Sequence, residues 1–135
     1  MSQEHYRVLW IGQVAVVTLP VEMDVTNADP VREELLAVMA QGAALLIADM
    51  SKTNFCDSAG VSALVRTFRR AAISGSAIRL VVSTPAVQRV LSITGVDRLV
   101  DVFPSVAASL AGPYDQSAQA QPDSATAKAD TDGGV

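Results

Sequence analysis

The chain has 135 residues, half of them hydrophobic, and a formal net charge of −4. This length suits one domain with its own core, and no apolar run approaches the ~20 residues of a membrane-spanning helix. The N-terminus does not show the basic and apolar segments of a secretory signal, and the single cysteine, Cys56, cannot form an internal disulfide. The sequence therefore predicts a cytoplasmic protein without a membrane partner.

The charge is concentrated at the C-terminal end. From residue 113 onward four aspartates stand against one lysine, which leaves the preceding residues nearly neutral. A neutral domain of this kind does not favour direct nucleic-acid binding. The C-terminal segment contains no Leu, Ile or Phe, so it cannot bury enough apolar surface to offset its ordering entropy. We expect a domain over residues 1–112 and a disordered acidic tail over residues 113–135.

Two strands open the domain. Residues 6–11 and 14–19 are rich in β-branched and aromatic side chains, and Gly12-Gln13 separates them. A two-residue break of this type is typical of an antiparallel hairpin. Pro20 ends the second strand because it cannot donate to a sheet ladder.

A helix follows the hairpin. Asn27 can cap its first turn, in which Pro30 is tolerated because that backbone nitrogen needs no helical partner. Gly42 ends the helix. Its apolar face consists of Val31, Leu35 and Val38.

The segment from Ala44 to Asp49 is an apolar run without alternation, which is typical of a strand covered on both faces. A short polar loop leads from it to Asp57, which we predict as the N-cap of the next helix. Ser74-Gly75-Ser76 ends that helix. Its apolar face, at helical spacing, is predicted to be Val61, Leu64, Val65, Phe68 and Ala72.

The remaining elements alternate. Ile78–Val82 predicts a strand, and Pro85 begins a helix that Gly95 ends. The inward side chains of that helix are predicted to be Val87, Val90 and Leu91. A short strand near Leu99–Val102 and a helix from about Pro104 to Ala111 complete the domain. The predicted fold class is α/β, with a mixed sheet of about five strands flanked by about four helices.

Ser58 is the residue to which this pattern assigns chemistry. It lies in the first turn of the helix capped by Asp57, close to solvent and to the positive end of the helix dipole. A hydroxyl in this position can accept a phosphate, because the free N–H groups there stabilise negative charge. The same residues are also an ordinary helix start, and on the tetrapeptide Asp57–Gly60 alone simple capping is the better interpretation.

Three segments, taken together, resemble a known family. LLIADMSKTNFCDSAGVSALVRTFRRA resembles the phosphoacceptor segment of STAS domains, in particular of bacterial anti-sigma factor antagonists. PVEMDVTNADPVREEL resembles the acidic loop of that family with its following helix, and VQRVLSITGVDRLVDVFPSVAASL its C-terminal third. The resemblance covers roughly residues 6 to 111, with the motifs in family order. It implies a mixed sheet flanked by helices, in agreement with the element order.

The resemblance also implies roles for particular residues. Ser58 becomes the phosphoacceptor, with Asp49 and Ser51 supporting its loop. Asp24 could orient the Ser58 hydroxyl or meet the partner, and Gly60 permits a close backbone approach. The residues implied in partner binding are Glu22, Asp24, Asn27, Asp57, Ala59, Gly60, Val61 and Ser62.

The sequence departs from the family pattern in three places. Ala59 replaces the second serine of the common Asp-Ser-Ser-Gly form, which leaves Ser58 as the acceptor within the motif. Pro20 and Met23 replace the usual Gly and Leu of the acidic loop. Ser51 and Thr53 remain minor alternative phosphorylation sites.

The implied function is that of an anti-sigma factor antagonist. When unphosphorylated it would bind an anti-sigma factor that is also its serine kinase; phosphorylation would end the binding and a serine phosphatase would restore it. Such a protein regulates sigma-factor-dependent transcription, as in bacterial stress responses, without being an enzyme and without metal or cofactor. The alternative is a STAS accessory subunit of an ABC-type lipid transport complex or of a larger signalling assembly.

Other chemistry is less well supported. His5 is the single histidine and no Gly-x-Ser-x-Gly occurs, which argues against a hydrolase. A receiver-like domain phosphorylated on Asp49 would need an acidic pair and a lysine that the sequence lacks. Cys56 is expected to be a small buried hydrophobe. The arginines on the polar side of the Ser58 helix are expected to be solvated, and they become useful only against an acidic partner; they are Arg66, Arg69 and Arg70.

Overall fold

A five-stranded mixed sheet lies at the centre of the computed structural model, which describes residues 6–111. The strands are β1 (Val8–Ile11), β2 (Val14–Thr18), β3 (Glu22–Met23), β4 (Leu45–Met50), β5 (Phe55–Cys56), β6 (Ala77–Val82) and β7 (Asp101–Phe103). The helices are α1 (Ala28–Ala40), α2 (Ser58–Ser74), α3 (Pro85–Thr94) and α4 (Val106–Ala111), with a 3-10 turn at Val96–Arg98. The predicted tail, residues 113–135, and His5 lie outside the described residues. Within residues 6–111 no helix is long and apolar enough to cross a bilayer.

The order of strands across the sheet is β1-β2-β4-β6-β7. β1 and β2 pair antiparallel through the turn at Gly12, and the pairs β2–β4, β4–β6 and β6–β7 are parallel. The hairpin and the mixed α/β class predicted from the sequence are confirmed. The last strand begins two residues later than predicted, because Val96–Arg98 forms a 3-10 turn before it.

The two faces of the sheet are covered differently. One face carries the larger core, in which Leu46, Ala48 and Met50 pack with side chains from α1, α2 and α3. On the opposite face Leu45 and Ile47 form a smaller cluster with neighbouring strands and α4. Both sets are at most 1% exposed, so β4 is buried on both sides. This double burial explains why its sequence is apolar without alternation.

Helix α2 is rotated slightly from its predicted face. Ala72 was expected in the core but is exposed, whereas Ala63, Thr67 and Ala71 are buried. Thr67 tolerates burial because its hydroxyl donates to the Ala63 carbonyl at 2.8 Å. The buried face therefore includes a row of small residues that hydrophobic spacing alone does not reveal.

A second sheet of two short strands joins the loops at the carboxyl ends of β2 and β4. β3 and β5 are parallel, with Glu22 opposite Phe55 and Met23 opposite Cys56. The contact is reinforced by the Thr53 hydroxyl, which donates to the Pro20 carbonyl at 2.7 Å. The acidic loop and the loop before α2 thus form one unit. These strands were not predicted, because two residues are too few to show a period.

Gly60 allows the first turn of α2 to lie against this small sheet. A Cβ atom at Gly60 would come within 2.8 Å of the Cys56 sulfur and within 3.1 Å of both the Met23 Cβ and the Met23 carbonyl oxygen. These distances are shorter than ordinary van der Waals contacts. The close approach foreseen for Gly60 is therefore an approach within the domain.

We predict that Gly60→Ala destabilises the protein by about 1–3 kcal/mol, the usual cost of adding a methyl group to a filled core. The backbone of Met23 is paired with β5 and cannot yield freely. Urea denaturation followed by circular dichroism measures the change. Ser62→Ala, at an exposed position two residues further along α2, is the control and should change stability by no more than about 0.5 kcal/mol. Equal stability of the two variants would contradict the packing described here.

Candidate functional site

Ser58 is the first residue of α2, and its side chain is exposed. The preceding residue, Asp57, has extended backbone angles (φ −96°, ψ −171°) and stands at the N-cap, as predicted. The chain therefore turns from β5 into α2 within one residue. This turn holds the Ser58 hydroxyl at a rigid helix start that solvent can reach.

The Asp57 carboxylate already bonds two of the backbone donors at this helix start. Its Oδ1 accepts the Ala59 N–H at 2.9 Å and the Gly60 N–H at 3.0 Å. The backbone N–H of Val61 bonds the Asp57 carbonyl at 3.0 Å. A phosphate on Ser58 would thus find these three N–H groups engaged and a carboxylate beside it. The expectation that these N–H groups stabilise a phosphate needs correction, because Asp57 already complements the helix dipole.

The acidic loop is ordered by its own side chains. The Asp24 carboxylate accepts from both the backbone N–H and the hydroxyl of Thr26. These bonds, the hydroxyl one foremost, lower the pKa of Asp24 below its ordinary value. Within the described residues Asp24 makes no bond to Ser58, so the expected orientation of the Ser58 hydroxyl by Asp24 is not observed. Asp24 is half-buried and reaches the surface as a fixed negative charge.

Asn27 has a different role from the cap that its position suggests. It stands at the N-cap of α1, yet its side chain makes no capping bond. Its amide donates to the Glu22 carbonyl at 2.7 Å and its oxygen accepts the Asp24 N–H at 3.0 Å. The competing bonds within the loop outweigh capping. Asn27 therefore fixes the acidic loop rather than the helix.

Asp49 is the penultimate residue of β4, and Ser51 is the first residue after that strand. The Asp49 carboxylate accepts the Ser51 N–H at 2.9 Å, and the Ser51 carbonyl accepts the Ser83 hydroxyl at 3.0 Å. Thr53 is fully buried, so its hydroxyl is not open to a kinase. These bonds tie the loop to the ends of two neighbouring strands.

The structure narrows the surface implied for partner binding. Gly60 and Val61 are buried; Gly60 faces Met23 and Cys56, and Val61 belongs to the core. Both residues were expected on the partner surface, and both lie in the interior instead. The other implied residues reach solvent at least in part, and they are Glu22, Asp24, Asn27, Asp57, Ala59 and Ser62.

Three exposed apolar side chains of the acidic loop and β5 were not predicted from the sequence. Val21, Val25 and Phe55 are 51%, 78% and 49% exposed. Phe55 stands opposite Glu22 in the small sheet, and Val25 lines a depression shared with Ala59. Exposed apolar groups rimmed by polar ones are typical of protein-binding surfaces. The available signal was the occurrence of large apolar residues within otherwise polar loops.

Cys56 lies in the core beside Gly60, at the first turn of α2. Its side chain is 4% exposed, and burial, with a smaller contribution from the charge of Asp57, raises its pKa to about 11. The prediction of a small buried hydrophobe is confirmed. Within residues 6–111 no group of three or more potential ligands could hold a metal ion.

Comparison with known proteins places this geometry in context. A family model of the STAS domain matches residues 6–109. The anti-sigma-B factor antagonist of Bacillus subtilis (strain 168) is 30% identical over 86 residues, which are 64% of this chain and 78% of the relative. The resemblance noted in the sequence is thus confirmed.

Two solved structures have a fold similar to that of this chain. An anti-sigma factor antagonist from Mycobacterium paratuberculosis has a TM-score of 0.72 at 25% identity, covering 78% of this chain and 90% of that chain. The Bacillus cell fate determinant SpoIIAA in its phosphorylated form has a TM-score of 0.60 at 18% identity, covering 78% of this chain and 96% of that chain. The second likeness is one of fold alone.

Removal of the cap should be measurable. We predict that Asp57→Ala destabilises the protein by about 1 kcal/mol, the usual cost of losing an N-cap side chain. Asp57→Asn retains an oxygen that can accept the same two N–H groups and should lose less than half as much. Urea denaturation of both variants checks the difference. Equal losses would show that the charge of Asp57, rather than its hydrogen bonds, stabilises the helix start.

The thiol of Cys56 should react slowly in the folded protein. With its pKa raised from 9.0 to about 11, the thiolate fraction at pH 8 falls about 100-fold, and the thiolate is the reacting form. Alkylation by iodoacetamide at pH 8, followed by mass spectrometry, should be at least about 100-fold slower in buffer than in concentrated urea. Comparable rates under both conditions would contradict the burial of Cys56.

Proposed function

The chain belongs to the STAS domain family, and we propose that it is an anti-sigma factor antagonist whose partner binding ends when Ser58 is phosphorylated. The observation that carries the proposal is the exposed Ser58 hydroxyl at a rigid helix start, bordered by acidic and apolar side chains. The names of its relatives support the same class of partner, since the Bacillus subtilis and Mycobacterium paratuberculosis proteins are anti-sigma factor antagonists.

The surface around Ser58 suits a protein partner. Val25 and Phe55 offer apolar area that a partner would remove from water, worth about 25 cal/mol per Å². Glu22 and Asp24 at the rim supply directional polar contacts. Ser58 itself, small and uncharged, can be covered without a large desolvation penalty.

Phosphorylation would change this surface locally. The Ser58 Oγ would form a bond to the γ-phosphorus of ATP with release of ADP and a proton, and the product would carry about −1.5 to −2 charge at neutral pH. In the free protein that group is exposed to water. In a complex it would lose water beside the Asp57 carboxylate, whose Oδ1 already accepts the nearest N–H groups. A buried charge without a partner costs several kcal/mol.

The domain itself should not refold on phosphorylation. Helix α2 remains capped by Asp57, and Gly60 and Val61 remain buried, because none of these contacts involves the Ser58 hydroxyl. The switch would therefore act through charge at the interface. The partner is expected to be the anti-sigma factor acting as serine kinase, and a serine phosphatase would restore binding.

We predict that Ser58→Asp weakens binding to the cognate anti-sigma factor by about 100-fold or more, as the cost of burying an unpaired charge implies. Isothermal titration calorimetry measures the change. Ser105→Asp is the matched control: Ser105 is exposed and its hydroxyl accepts the Ala108 N–H at the start of α4, which packs on the other face of the sheet. That variant should bind like the wild type.

Incubation with the anti-sigma kinase and ATP should add one phosphate, and peptide mapping should find it on Ser58. Ser58→Ala should bind the anti-sigma factor and accept no phosphate. The proposal fails if the phosphate is found elsewhere, or if Ser58→Asp binds as tightly as Ser105→Asp. Stable copurification with a transport ATPase, independent of phosphate, would favour the accessory-subunit alternative.

A further inference from the structure

Helices α1 and α2 enclose a groove whose chemistry the Ser58 switch does not use. It has a volume of about 780 Å³ and is open to solvent. Three arginines and a glutamate line it together with small and apolar side chains. The lining is Arg32, Glu33, Leu36, Ala37, Met39, Ala40, Arg66, Arg70 and Ser74.

The groove is continuous with the surface around Ser58. A smaller depression of about 160 Å³, to which Ala59 and Ser62 contribute, shares Arg32 and Arg66 with it. A partner that covers Ser58 can therefore extend into the groove without leaving the protein surface. Continuity of this kind favours one extended binding surface over two separate ones.

The arginines of the groove have few partners. Within residues 6–111 the single ion pair is the one between Arg32 and Asp29, at 3.5 Å. The Asp29 side chain is 77% exposed, so this pair is weak. The Nε of Arg32 is buried and makes no hydrogen bond, so the guanidinium group is only partly paired within the domain. Arg66 and Arg70 make no ion pair with another described residue.

The spacing of the arginines identifies the shape of an occupant. Arg66 and Arg70 are one turn apart on α2, so their guanidinium groups form a row parallel to the helix axis. Carboxylates one turn apart on a partner helix have the same spacing. The other wall includes Leu36, Ala37 and Ala40, which reach solvent at least in part, and the apolar side of that helix would pack there.

We propose that the α1–α2 groove binds an acidic amphipathic helix of the partner protein. The apolar part of the lining favours an amphipathic peptide over a nucleic acid, since a phosphate backbone would gain nothing from contact with apolar side chains. Carboxylates accept from guanidinium groups in pairs, which gives direction as well as attraction. The identity of the protein that carries the helix rests on the proposed function; the chemistry of the groove does not.

The first experiment uses a synthetic peptide and the full-length protein. The probe is an amphipathic helix of about 18 residues, or five turns, with Glu at i and i+4 on one face and Leu on the other; its twin carries Gln in place of Glu. In ¹H–¹⁵N NMR titrations the Glu peptide should shift resonances of α1 and α2, and the Gln peptide should bind about tenfold more weakly or worse. Absence of binding, or equal binding of both peptides, overturns the proposal.

Matched variants locate the interaction. Arg66→Glu/Arg70→Glu should weaken binding of the Glu peptide by about tenfold or more, because like charges replace ion pairs. Arg69→Glu is the control, since Arg69 is exposed on the same helix but does not line the groove. Equal losses in both variants would indicate a general charge effect and overturn the proposal.

Two other occupants are outcomes of the same measurements. If replacing all four tail aspartates by asparagine shifts α1 and α2 resonances of the free protein, the groove holds the tail of its own chain. If the shifts instead grow with protein concentration, it holds a second copy. Either result would overturn the proposal that the groove binds a helix of a partner protein.

The proposed switch at Ser58 and the proposed binding of an acidic helix in the groove can be tested independently. With the anti-sigma factor as ligand, Ser58→Asp tests the switch and Arg66→Glu/Arg70→Glu tests the groove. If the first variant loses binding while the second binds like Arg69→Glu, the switch stands and the groove proposal falls. If Ser58→Asp binds normally and the arginine variant does not, the opposite holds.

Discussion

The close approach of α2 to the small β3–β5 sheet is the constraint on which the candidate site depends. Gly60 makes this approach possible because a Cβ atom there would overlap the Cys56 sulfur and the backbone of Met23. The approach brings the acidic loop, the loop after β4 and the start of α2 into one rigid unit. Without this close approach the Ser58 hydroxyl would lie on a helix start with no fixed neighbours. A partner could not then contact the three segments at the same time.

The electrostatics of the helix start favour a switch that acts on a partner. An uncapped helix N-terminus would stabilise a phosphate and partly neutralise its charge. Here the Asp57 carboxylate has taken the Ala59 and Gly60 donors, so a phosphate on Ser58 would keep most of its charge. That charge is tolerated in water and penalised in an interface. The cap thus stabilises α2, and it would leave a phosphate on Ser58 largely unneutralised.

The sequence predicted much of the fold and only part of the site. Gly75 and Gly95 marked helix ends correctly because both adopt positive φ angles, a local requirement. Ser58 and its cap, Asp57, were predicted from the helix start signal, which is also local in sequence. The exposure of Phe55 could not be predicted, nor could the position of Arg32 and Arg66 in one groove. Both depend on how segments distant in sequence pack. Local rules therefore located Ser58 and its cap and missed the surface around them.

Distance along α2 separates the two parts of the proposed binding surface. Arg66 lies eight residues after Ser58, which corresponds to about 12 Å along a helix, beyond the Debye length of about 8 Å at physiological ionic strength. A phosphate on Ser58 would therefore do little to Arg66, and less to Arg70, which lies one turn further along α2. Its effect would fall on partner groups that lose water beside Ser58. A partner held at both places could be released by a change at one, because the groove contacts alone, being solvent-exposed ion pairs, contribute about 1 kcal/mol or less each. The groove would then add specificity for an acidic partner, while control of binding would stay with the serine.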